Sequence, residues 1–81
     1  MRPFLQSAVP MRAIPGEAAQ ERIRDEILRL NDATEVNFVQ DGLGIALQAF
    51  FENTTLGAAE ADNLCQDAIR KYAPEVVVEY E

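Results

Sequence analysis

T-E-V-N-F-V-Q-D-G-L-G-I-A-L-Q-A-F-F-E, residues 34–52, is the stretch that decides the fold. At its centre lies Asp41-Gly42. An Asp-Gly pair between alternating apolar residues is a strong signal for a two-residue hairpin turn, because such turns need positive φ at central positions. With Gln40 and Leu43 flanking the turn, Phe38 falls opposite Ile45 and Val36 opposite Leu47, all on one face. The strands are expected over residues 35–40 and 44–52. Ile45, Leu47, Ala49 and Phe51 extend the apolar face, while Asn37, Val39, Ala46, Gln48 and Phe50 share the other. That second face is neither a core nor a normally solvated surface, and an exposed Phe50 on it points to a partner surface.

Upstream of the hairpin, Ala19, Ile23, Ile27 and Leu30 recur at helical spacing, with Glu17, Glu21, Arg24, Asp25 and Arg29 mostly off that stripe. They predict a helix over residues 17–30, starting after Pro15-Gly16 and ended by the turn chemistry of Asn31-Asp32. Residues 1–15 hold prolines at 3, 10 and 15, each fixing φ and removing a backbone donor. They are expected to form an extended linker or mobile arm ahead of a domain over residues 16–81. Phe4, Leu5, Val9, Met11 and Ile14 are many apolar side chains for a pure linker, so part of the arm is expected against a groove or a second subunit.

Downstream, Thr54 and Thr55 are N-cap candidates for a helix over residues 56–72, with Gly57 blurring its start. Its buried stripe is Ala61, Leu64, Cys65, Ala68 and Tyr72, and Arg70 and Lys71 sit in the last turn, where the helix dipole favours cations. Pro74 stops it, and Val76, Val77 and Val78 give residues 75–81 a strong β propensity. The expected order is α-β-β-α-β. A right-handed crossover then puts both helices on one face of a three-stranded sheet, an α+β, open ferredoxin-like two-layer sandwich without its first strand.

The chain has 81 residues, enough for one small domain near the lower limit of independent stability. Its net charge is −7, from 14 acidic and 7 basic residues. This disfavours nucleic acid and anionic membrane surfaces as partners, since both select clustered Lys and Arg. The 48 % apolar content argues against disorder, and the apolar runs are too short to span a bilayer. One cysteine, Cys65, cannot form an internal disulfide, and the prolines of residues 1–15 stand where a secretory leader would have its apolar helix. A cytoplasmic location is the expectation.

With no histidine, one stripe cysteine, no glycine-rich phosphate loop and no G-x-S-x-G turn, the common nucleophile and base pairs cannot be assembled, and no enzyme is expected. Cation binding has better material. Glu79 and Glu81, two apart on the last strand, emerge on one sheet face, and Asp62 near the start of the second helix is the third candidate ligand. Such an oxygen-rich set suits Mn²⁺, Mg²⁺, Ca²⁺ or Fe²⁺ better than Zn²⁺ or Cu²⁺. A solvated acidic C-terminus is the plain alternative.

From Ala18 onward the pattern resembles the cytosolic C-terminal domain of the cation diffusion facilitator transporters. Ala59-Glu60-Ala61-Asp62 is similar to that family's small-acid-Ala-His segment, with Asp62 in the His place, and Val76-Val77-Val78-Glu79-Tyr80-Glu81 is similar to its final strand, with Glu79 where His is usual. The resemblance implies a cytosolic regulatory domain that forms homodimers and biases the transmembrane domain of the same transporter. The implied cofactor is a divalent cation (Mn²⁺, Fe²⁺, Mg²⁺ or Zn²⁺) on Asp62, Glu79 and Glu81, or none if only dimerisation is kept. Two carboxylate-rich subunits at −7 each repel, and a shared cation would relieve that repulsion. A free-standing acidic interaction module is the competing expectation. It would bind a basic partner surface or be of the BON type, although a BON-like domain would show glycine where this chain has Gln48-Ala49.

Overall fold

The computed structural model describes residues 4–30, 33–42, 44–52 and 54–79. Five elements follow one another: β1 (Phe4–Met11), α1 (Glu17–Leu30), β2 (Ala33–Asp41), β3 (Gly44–Glu52) and α2 (Ala58–Tyr72). β3 lies between β1 and β2 and is antiparallel to both. α1 lies against β2, α2 lies against β1, and the two helices pack on each other. One buried cluster joins Val9 and Met11 of β1, Val36 of β2, and Leu47, Ala49 and Phe51 of β3 to Ile23 and Ile27 of α1 and to Ala61, Cys65, Ala68 and Ile69 of α2. Both helices therefore cover the same side of the sheet. The α+β class, the three-stranded sheet and the single helical layer are as expected.

The identity of the third strand is not. The segment read as a linker supplies β1, paired with β3 along its whole length from Phe4 opposite Glu52 to Met11 opposite Ile45. The expected final strand contributes one bridge, Val78 to Met11, with the Arg12 amide bonded to the Val77 carbonyl at 3.0 Å and the Glu79 amide to the Pro10 carbonyl at 2.8 Å. The order is thus β-α-β-β-α with a rudimentary fourth strand on the outer edge of β1. Because the backbone groups of one strand residue point to the same side, the Pro10 carbonyl shows that its missing N–H also faces that outer edge. Proline costs the β1–β3 ladder nothing there, and it sits where sheets tolerate it.

The hairpin forms with the expected faces and a different closure. Asp41 pairs with Gly44, Phe38 with Leu47 and Val36 with Ala49, so each residue of β2 meets a partner two positions further along than expected. A shift of two keeps every side chain on its face, whereas a shift of one would exchange core for surface. Gly44 carries the unusual backbone, φ 138°, a region L-residues rarely enter. Leu43, like the Asn31-Asp32 turn, lies outside the described residues. Near the other end, the register slips between Ala33 and Glu35, a bulge that brings Ala33 opposite Phe51 and leaves Thr34 Oγ1 donating to the Phe50 carbonyl at 3.2 Å.

α1 spans the expected residues, with Ile23 and Ile27 buried and Ala19 half-buried. α2 starts two residues later than expected because Thr54 caps the turn ahead of it. The Leu56 amide donates to Thr54 Oγ1 at 3.1 Å, and Gly57 takes the N-cap position without a side-chain bond. No helix among the described residues is long and apolar enough to cross a membrane.

A chain lacking residues 1–11 tests the revised strand order. Loss of β1 strips Val9 and Met11 from the core and exposes both the β3 edge and the α2 stripe. Far-UV circular dichroism is expected to show no cooperative thermal transition, whereas a dispensable linker would leave the transition in place. Phe51→Ala, which empties the largest buried side chain, is expected to cost about 3–5 kcal/mol.

Candidate functional site

Alternation along the strands builds two unlike faces. Opposite the helices, registered rows run across the sheet: Pro10, Ala46 and Val39; then Ala8, Gln48 and Asn37; then Gln6, Phe50 and Glu35. Of these nine residues only Glu35 is charged, and it accepts a hydrogen bond from Asn37 Nδ2 at 2.7 Å. No described helix covers this face. Phe50 is half-buried, not exposed as expected, and Val39, Ala46 and Gln48 are half-buried with it. Above the first row the face hollows into a shallow groove of about 700 Å³, walled by Pro10, Arg12, Val39, Ala46, Gln48 and Glu79. Arg12 and Glu79 close its outer end through an ion pair at 3.3 Å, both side chains more than half exposed.

The candidate cation ligands are not brought together. Asp62 on α2 accepts a hydrogen bond from Ser7 Oγ on the helix-covered side of β1. Val78 packs against the core, so alternation sends Glu79 to the opposite side, where it meets Arg12. The sheet separates the two carboxylates. Glu81 lies outside the described residues. Among the described residues no three His, Cys, Asp or Glu side chains are placed to share a cation.

Cys65 is fully buried beside Ser7 and Asp62. Burial raises its thiol pKa to about 11, against the lowering effect of the Ser7 hydroxyl, and the Asp62 charge adds to the rise. A neutral, enclosed thiol is a packing group and a poor nucleophile. On the far side of the helical layer, Glu26 of α1 accepts bonds from Lys71 Nζ and Tyr72 Oη of α2, both at 2.8 Å. The Lys71 bond, seconded by Tyr72, holds the Glu26 carboxyl below its ordinary value, and the Glu26 bond holds the Lys71 ammonium above its own. This pair ties α1 to α2.

Strand periodicity in the hairpin located the apolar part of the open face. Ser7 and Arg12 went unnoticed, and Pro10 was read only as the mark of a linker, because all three lie in the proline-bearing segment. The usable signal there was the alternation of Leu5, Ser7, Val9 and Met11 with Gln6, Ala8 and Pro10.

The helix clasp has a pH signature. A lowered Glu26 pKa gives stability that is present above about pH 4.5, the carboxyl's ordinary value, and is lost as pH falls through the depressed one. A raised Lys71 pKa gives stability present below about pH 10.5 and lost as pH rises beyond it. Melting temperature followed from pH 7 down to about 3 is expected to fall less steeply for Glu26→Gln than for the unaltered protein.

Compared with known proteins, the chain matches no family model, no curated protein and no solved structure.

Proposed function

We propose that the protein is a small non-catalytic interaction domain that docks its partner on the helix-free face of its sheet. The observation that carries this reading is the composition of that face. In a chain that is 26 % charged and carries −7, eight of its nine central positions are uncharged, and half-buried Val39 and Ala46 line its groove beside the charged Arg12, Asp41 and Glu79. Exposed apolar patches of this kind mark contact surfaces. The absence of histidine from the sequence and the neutral, enclosed Cys65 thiol support a non-catalytic role.

Substitutions on the face separate docking from folding. Ala46→Arg and Gln48→Lys, made singly, are expected to shift the melting temperature by only a few degrees, since changes outside the core are worth about 0.5 kcal/mol. Leu47→Ala, one residue away on the buried side, is expected to cost about 2–5 kcal/mol. If the face variants lose as much as the core variant, the face serves the fold and the docking reading is wrong.

The resemblance to the cation diffusion facilitator C-terminal domain offers a finer form of the same reading. The chain would then be a cytosolic regulatory domain whose homodimer biases an attached transmembrane part. The run α1-β2-β3-α2 followed by a pairing C-terminal segment supports it. With Asp62 and Glu79 on opposite sides of the sheet, dimerisation alone is the version the geometry favours over cation-driven closure. Mn²⁺, Mg²⁺ or Zn²⁺ at millimolar concentration is expected to leave the melting temperature unchanged. A rise would restore the cation site, because a ligand at a hundred times its Kd adds about 2.7 kcal/mol to the native state.

A further inference from the structure

The two edges of the sheet are treated differently by the fold. On β1 the outer edge carries Pro10, which offers no N–H, and residues 77–79 bond there to Pro10 and Arg12. β2 forms the other edge, and no described strand lies beyond it. Its sequence, A-T-E-V-N-F-V-Q-D, is nine residues long without proline, lysine or arginine, and its bulge sits at the start, between Ala33 and Glu35. A long, regular edge of this kind is a template for a further strand.

Strand parity tells which backbone groups that edge presents. Pro10 and Arg12 turn theirs outward on β1, so Val9 between them bonds to Leu47 of β3. With Leu47 turned to β1, its partner on β2, Phe38, turns away from the sheet, and Val36 and Gln40 turn with it. Arg24 Nε of α1 reaches the outward Val36 carbonyl at 3.1 Å, as this parity requires. The amides and carbonyls of Phe38 and Gln40 have no backbone partner among the described residues. Only water or another extended backbone satisfies such a row of alternating donors and acceptors. Beside it, on the helix-free side, stand Glu35, Asn37, Val39 and Asp41, an acid at each end; on the helix side Phe38 is half-buried against the core.

We propose that the outer edge of β2 takes up an extended basic peptide as an added antiparallel strand, with basic side chains opposite Glu35 and Asp41 and apolar ones opposite Val36, Phe38 and Gln40. This edge is a second contact surface, independent of the helix-free face. The backbone row demands a strand, and the acids choose its charge. Opposite charges directly across two strands stabilise the pair, and like charges destabilise it. A copy of β2 lying antiparallel, Phe38 against Phe38, would set Glu35 against Asp41 at both ends, in addition to −7 against −7. The same acids that close the edge to the chain's own copies leave it open to bases, and the net charge draws a basic peptide in. Glu35 and Asp41 lie about 20 Å apart along the strand, so seven extended residues with a base at each end span the site.

Amide hydrogen exchange followed by NMR reads the edge directly, with Lys-Val-Thr-Val-Thr-Val-Lys as the probe peptide. In the free protein the Phe38 and Gln40 amides are expected to exchange at least about tenfold faster than those of Asn37 and Val39, which pair with β3. The peptide at about 1 mM is expected to slow the first pair toward the second, with binding that weakens as salt is added. N-methylation of the three valines, or Glu in place of both Lys, is expected to weaken binding by about tenfold or more, the worth of one hydrogen bond. Gln40→Pro does at β2 what Pro10 does at β1: it removes an outward donor and leaves the β2–β3 ladder in place. It is expected to keep a cooperative melting transition and to weaken the peptide by about tenfold. Slow exchange at Phe38 and Gln40 in the free protein, no binding at about 1 mM, or equal binding of the N-methylated peptide overturns the proposal. Peptide-induced changes confined to Ala46, Gln48 and Phe50 overturn it in favour of the helix-free face. Slowing that follows protein concentration without peptide puts a second copy on the edge and overturns the peptide as occupant.

Discussion

β3 is the strand on which the structure depends, because its residues are paired on both sides. Leu47 has Val9 on one flank and Phe38 on the other, and Ala49 has Ser7 and Val36. Each such row must point as a unit to one side of the sheet. The parity of β3 therefore sets the parity of its neighbours, and one choice, Leu47 inward, fixes which side chains face the solvent side. The helices follow from that choice. Ile23, Ile27, Cys65 and Ile69 have one apolar surface to cover, and a domain of this size has too few residues to build a second layer. The open face is thus a consequence of the same pairing that makes the core.

That parity was legible in the sequence because it depends on period alone. The alternation of residues 35–52 placed Val36, Leu47, Ala49 and Phe51 inside even though the expected pairing was displaced, since a displacement of two does not change sides. The 3.6-residue stripe of α1 was equally plain. Less legible were features that depend on distant partners. The expected turn centred on Asp41-Gly42, where the local signal is strongest, whereas the ladder closes on Asp41 and Gly44 instead of Gln40 and Leu43, with the positive φ on Gly44. Thr54 was visible as a cap residue, yet it bonds in the turn before α2 instead of at its first turn.

The misreading of β1 has a specific cause. Proline is evidence against a central strand, and β1 is an edge strand apart from the short 77–79 pairing. Whether Pro10 faced a neighbour or an edge depended on which strand lay beside it, which no local pattern states. Once β1 is in the sheet, residues 77–79 can pair only on its outer side, and their weight in the fold drops from a full strand to one bridge clamped by Arg12 and Glu79. The candidate cation site dissolves for the same reason. Glu79 was expected to share a cation with Asp62, and instead Ser7 of β1 meets Asp62 while Arg12, just past β1, meets Glu79.

Charge and shape on the open face then act in sequence. The −7 charge keeps copies apart at long range and at every acidic patch, so it discriminates against loose, nonspecific self-association. At short range the uncharged rows of the helix-free face carry little of that penalty. A larger or more apolar face would bind more tightly and also less selectively, because any flat apolar surface would fit it. Amide side chains at Gln6, Asn37 and Gln48 interrupt the apolar surface and require a partner that can satisfy them.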